Sequence, residues 1–134
     1  MSEIVFDNEH AIMTYSKTDL AIELIWKTDV TSDEFRKAYN NGLEFASQNK
    51  VQLFLSDIRK EGLVSLEDVK WLTLEVIAKA SQIGIKKIAL INEEELIFSS
   101  IYAESLKKKI ENFSIQVNVF SDISSARTWL LGKN

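Results

Sequence analysis

A chain of 134 residues, 46% hydrophobic and 27% charged, has enough apolar surface for one buried core and too much for a disordered segment. Its net charge of −4 argues against general binding to a phosphate backbone, and the absence of cysteine removes disulfides, thiol nucleophiles and thiolate metal sites together. No apolar run approaches the ~18 residues a membrane span needs, and the opening MSEIVFDNEH lacks the basic-then-apolar order of a secretory signal, so a cytoplasmic protein is expected.

Proline is absent and glycine occurs four times, so the connections are expected to be short turns inside one compact unit. Glu3 to Phe6 reads as a short strand, followed by the turn chemistry of Asp7, Asn8 and Glu9. Ala11 to Tyr15 reads as a second strand. Leu20 to Trp26 reads as a third, in which Leu20, Ile22, Leu24 and Trp26 alternate against Ala21, Glu23 and Ile25. The gap from Ser16 to Asp19 suits a hairpin, so the chain is expected to open on an antiparallel meander.

A helix is expected from Thr31, because Thr31 and Glu34 have the spacing at which each side chain satisfies a backbone N–H of the other. Phe35, Ala38, Tyr39, Gly42, Leu43 and Ala46 share one face of it. Val51 to Leu55 is the first mostly apolar strand, as expected when both faces are covered. A polar loop carrying Asp57 and Arg59 leads to Ser65, which reads as the cap of a second helix ended by Gly84. Lys86 to Ile91 is the next strand. A third helix is expected roughly over Glu95 to Asn112, with its acidic start and basic end opposing the macrodipole. Ile115 to Phe120 is the last strand, and Asp122 caps a final helix. The order implies an α/β domain: one mixed sheet, antiparallel at its front and parallel after it, flanked by four helices on both faces.

On a helical wheel the second helix is apolar on two sides. Leu66, Val69, Leu72, Val76, Ala80 and Ile83 form a stripe for the sheet, while Trp71, Leu74 and Ala78 lie opposite. Two readings compete for the second stripe. Either the third helix or the loop before Ser65 covers it, or Trp71 and Leu74 form a patch for a partner or a second copy of the chain.

Three residues carry the candidate chemistry. Asp57 and Arg59 stand two apart just after a buried strand, at the end of a parallel sheet where ligands are usually bound. Arg59 beside the N–H groups at Ser65 would make a small anion site. The competing reading is that Asp57 and Arg59 simply pair, with Ser65 a cap. His10, the single histidine, reads as a solvated turn residue, and no metal or cofactor is expected. Lys107 to Lys109 reads as a polar helix end, so nucleic acid is not expected as a partner. Neither a Gly-rich phosphate loop nor a G-x-S-x-G elbow occurs, and no nucleophile is supplied with its base, so an enzyme is not expected.

The succession TSDEFRKA, GLEFA, LFLSDIRK, SLEDVKWL, GIKKIALI and VFSDISSARTWL resembles SpoIIAA-like proteins of the STAS fold class, also grouped with CRAL-TRIO-type domains. The likeness runs over nearly the whole chain. It implies a mixed sheet with flanking helices and a non-enzymatic regulatory or binding module. In the STAS relatives that act as anti-anti-sigma factors, a serine at the helix start after the central strand is phosphorylated, within a D-S-S-G or D-T-S-G tetrapeptide. Here the stretch is SDIRKEGLVSLED, longer and without that tetrapeptide, and Ser65 takes the analogous place as a possible phosphorylation site. The expected function is binding of a protein partner or small anionic ligand at Asp57, Arg59 and Ser65. The alternative is a carrier of a small molecule or lipid in an apolar pocket near Trp71 and Leu74.

Overall fold

The protein is seen in a computed structural model that describes residues 2–60, 66–91 and 113–132. Strands β1 (Ser2–Asp7), β2 (Ala11–Ser16) and β3 (Ala21–Trp26) form the antiparallel meander. After α1 (Ser32–Gln48), strands β4 (Leu53–Asp57), β5 (Lys87–Ile91) and β6 (Gln116–Phe120) add in parallel to β3. The six strands lie side by side in chain order. Between β4 and β5 the chain forms one helical rod of α2 (Leu66–Trp71), a π-helical turn (Leu72–Val76) and α3 (Ile77–Gln82). Helix α4 (Ile123–Leu130) closes the described chain.

Sequential strand order has a consequence for the layers. Each right-handed crossover advances the sheet in the same direction, so successive crossover helices fall on one face. Accordingly α1 and the α2–α3 rod pack on the face formed by Met13, Ile22, Leu24, Trp26, Phe54 and Ile88. Helix α4, which follows the last strand, packs on the opposite face through Ala126 and Leu130 against Leu55, Ala89 and Ile91. The expected α/β class, mixed sheet and two covered faces are present. The helix expected over Glu95–Asn112 lies outside the described residues.

Local chemistry explains the boundaries. Thr31 Oγ1 accepts from the Glu34 N–H at 3.3 Å while Glu34 reaches back to the Thr31 N–H, the reciprocal cap expected from their spacing. Gly84, at φ 103°, takes the left-handed conformation that stops α3. Asp122 caps α4 by accepting from the Ser125 N–H at 2.7 Å.

Two expectations are corrected. Leu20 belongs to the hairpin turn rather than the strand: its φ of 55° is left-handed, and its carbonyl instead accepts from Gln52 and Leu53 at the head of β4. Strand β4 begins at Leu53 and runs through Asp57, which is therefore a buried strand residue and not part of the loop.

The sheet-side stripe drawn for the second helix holds at Leu72, Val76, Ala80 and Ile83, which all join the core, but it leaves out one residue beside an irregular turn. In the π-helical turn the Ile77 N–H bonds to the Leu72 carbonyl, five residues back, so an extra residue enters the turn. Everything beyond it is rotated relative to a continuous α-helix. Ile77, assigned to neither stripe, is buried with Val76 and Ala80.

Candidate functional site

The C-terminal ends of the parallel strands bring Asp57 and Arg59 together. Asp57 shares the parity of Leu55, so it faces the α4 side of the sheet, aligned with Ile25 and Ile91 in the flanking strands. Its side chain is only 8% exposed, whereas that of Arg59 is 30% exposed. The guanidinium closes on the carboxylate as a fork: Arg59 Nε donates to Asp57 Oδ1 at 2.9 Å and Nη2 to Oδ2 at 2.6 Å. The Arg59 backbone N–H adds a third bond to Oδ1 at 3.2 Å. This planar bidentate geometry is the strong form of the pairing, and it fixes the backbone where the strand ends. Asp57 and Arg59 therefore pair with each other, as the competing reading of this stretch expected. Ser65, the third member, lies outside the described residues.

Helix α4 contributes a neighbour. Asp122, held as its cap by Ser125, is kept below the ordinary carboxylate range chiefly by the Ser125 backbone N–H, with the positive charge of Arg59 adding to the effect. The charge of one guanidinium is thus felt by two carboxylates, Asp57 by direct pairing and Asp122 more weakly. A small anion approaching Arg59 meets a charge already neutralised by Asp57 and opposed by Asp122, whereas a flat polar protein surface meets an ordered donor–acceptor array.

Trp71 and Leu74, the other two expected site residues, differ in exposure. Trp71 is half-buried against α1: the Phe35 ring meets it edge-on at 6.2 Å between centroids, and the Arg36 guanidinium lies 5.2 Å from its ring. Leu74 is 50% exposed. Part of Trp71 is thus covered by α1, while Leu74 is left to solvent.

Sequence reasoning missed what holds that corner. Asp68 is buried, accepting from Arg36 Nε at 2.9 Å and from the Ser32 hydroxyl. The linkage joins the starts of α1 and α2 across more than thirty residues of sequence, and no local spacing announces it.

Beneath the π-helical turn lies a small cavity of about 20 Å³, bordered by Tyr39, Phe54, Ser56, Leu72, Val76 and Leu90. That is room for about one water molecule. Ser56 and Tyr39 close its floor with a buried hydroxyl–hydroxyl bond of 2.8 Å.

Among the described residues no group of three or more His, Asp or Glu is placed to hold a metal ion, and no helix is long and apolar enough to cross a membrane. Set against known proteins, the chain matches no family model, and no curated protein or solved structure matches it. The class the fold defines is thus a six-stranded mixed α/β sheet domain with an ion-paired rim at the ends of its parallel strands.

Proposed function

We propose that the chain is a non-enzymatic regulatory or binding module of the SpoIIAA-like, STAS type, which takes a protein partner at the rim formed by Asp57, Arg59 and Ser65. The observation that carries this reading is the bidentate Asp57–Arg59 pair at the carboxyl end of β4. A buried carboxylate holding a partly exposed guanidinium rigid gives a pre-ordered recognition surface, in which little side-chain freedom remains to be lost on docking. A protein partner is favoured over a small anion because Asp57 and Asp122 already compete for the positive charge. Ser65 precedes α2 in the sequence, and its phosphorylation would add charge there.

Affinity capture from the host that makes the protein tests the reading. Wild type is expected to retain a partner that Arg59→Glu loses and that Ser65→Asp retains to a different extent. Equal capture by all three would contradict it.

The carrier reading rests on a different observation, the apolar cavity beside the π-helical turn. Its lining is Leu72 and Val76 rather than Trp71 and Leu74, and a volume of about 20 Å³ accepts no lipid chain unless the rod swings off the sheet.

A further inference from the structure

Helix α4 packs on β4, β5 and β6, and among the described helices none packs on the same face of the meander. Strand parity sets Ile4, Thr14 and Glu23 in one row of that open face. Ile12 and Ile25 lie in the row on one side of it, and Ser16 and Ala21 in the row on the other. Ile4 is 63% exposed, and Ile4, Ile12 and Ile25 join neither core cluster. A lone surface isoleucine needs no explanation, but three on one uncovered sheet face do. Between this face and α4 runs a groove of about 200 Å³, lined in part by Thr14, Ala21, Glu23, Leu53, Arg127 and Leu130.

Charge and shape both point to what covers the face. The two carboxylates in these rows are already matched within the chain. Arg127 donates to both oxygens of Glu23, at 2.8 and 2.7 Å, and Lys27 Nζ lies 2.5 Å from Asp7 Oδ1. A chain of net charge −4 repels its own copies in most orientations, whereas two copies of this face meet without like-charge repulsion. Symmetry then selects one arrangement. A two-fold axis across the strands drives α4 onto the α4 of the second copy, while an axis along them sets β1 of each copy over β3 of the other. Stacked sheets lie ~10 Å apart and a helix with its side chains is ~10–12 Å wide, so each α4 fills the layer beside β1 of the second copy. Ile4, projecting from β1, thereby comes over the row of Glu23 at the mouth of the groove, and the contact is made twice.

We propose that the chain pairs with a second copy through this face, the two meanders stacked β1 over β3 and Ile4 of each copy seated in the groove beside α4 of the other. Three strands of six residues give a footprint of roughly 14 by 20 Å, well under the ~800 Å² per partner of a standard interface. The pairing is therefore weak and concentration-dependent, with half of the chains paired at roughly 100 µM. It uses neither Leu74 nor the Arg59 guanidinium, and stands whether or not a protein docks at the Asp57–Arg59 rim.

Sedimentation equilibrium of the full-length protein from about 10 µM to about 1 mM tests the proposal. The mean mass of wild type is expected to climb from that of one chain towards that of two. Ile4→Lys, an exposed change expected to leave the urea midpoint unaltered, and Thr14→Arg, which fills the groove, are each expected to weaken pairing at least tenfold, or about 1.4 kcal/mol. Leu74→Glu is expected to pair as wild type does. A wild type that stays monomeric throughout the range, a dimer that either Ile4→Lys or Thr14→Arg leaves intact, or one lost in Leu74→Glu overturns the proposal.

Discussion

Single side chains in this protein carry duties that their neighbours in sequence do not reveal. Tyr39 and Ser56 illustrate it: Tyr39 reads as an ordinary position on a helix face and Ser56 follows the expected strand, yet their hydroxyls meet at 2.8 Å inside the core. Removing one partner leaves the other short of a bond in an apolar setting, so Tyr39→Phe is expected to cost about 1–2 kcal/mol by urea denaturation. The double variant with Ser56→Ala should cost less than the two single changes added together. Glu34 gives a pH signature. Its carboxyl sits below the ordinary 4.5, first because the Thr31 hydroxyl donates to it, then through the Thr31 backbone N–H and the nearby His10. A depressed folded-state value means that the stabilisation is fully present above the unfolded value and disappears as pH falls through the folded one. The stability gap between wild type and Glu34→Gln is therefore expected to be constant above about pH 5 and to close below pH 4.5 in pH-dependent denaturation. The cap itself was legible, since Thr31 and Glu34 are three apart. That Glu34 also reaches His10 was not, because the meander turn and the helix start meet only in three dimensions, and a lone histidine at a turn looks solvated.

At the scale of elements, boundaries written in local chemistry were readable and those written in packing were not. Asp122 and Gly84 mark helix ends by what a side chain or a left-handed φ can do alone. The π-helical turn has no such mark. A wheel at 100° per residue assumes one helical phase from Leu66 to Ile83; it places Val76, Ala80 and Ile83 on the core side but leaves out Ile77, beside the extra residue in Leu72–Val76. This yields a sharp prediction. Deleting Leu74, half exposed and in the π-helical turn, removes the inserted residue and lets α2 and α3 keep their packing in one continuous α-helix. Its cost is expected to stay within about 1 kcal/mol by denaturation. Deleting Lys79, also exposed but within regular α-helix, swings Ala80 off the core by about 100° and is expected to cost several times more. Equal costs for the two deletions would contradict the phase argument.

Across the whole molecule, the alternation of strand and helix after the meander conveyed the architecture because it is repeated and periodic. The sheet in simple chain order then follows from short connections and crossovers of one hand. What the sequence left open was which polar groups that architecture would gather. Asp57 and Arg59 are neighbours along the chain, so their fork was foreseeable; Asp122 arrives from more than sixty residues away because α4 starts at the same rim. The account therefore turns on whether that rim is where the protein meets its partner. Native mass spectrometry of the chain purified from its own host, as wild type and as Arg59→Glu, tests this most directly. The predicted result is a protein-sized additional mass on wild type that Arg59→Glu lacks. A lipid-sized mass retained equally by both would contradict it and return the apolar cavity to the centre of the function.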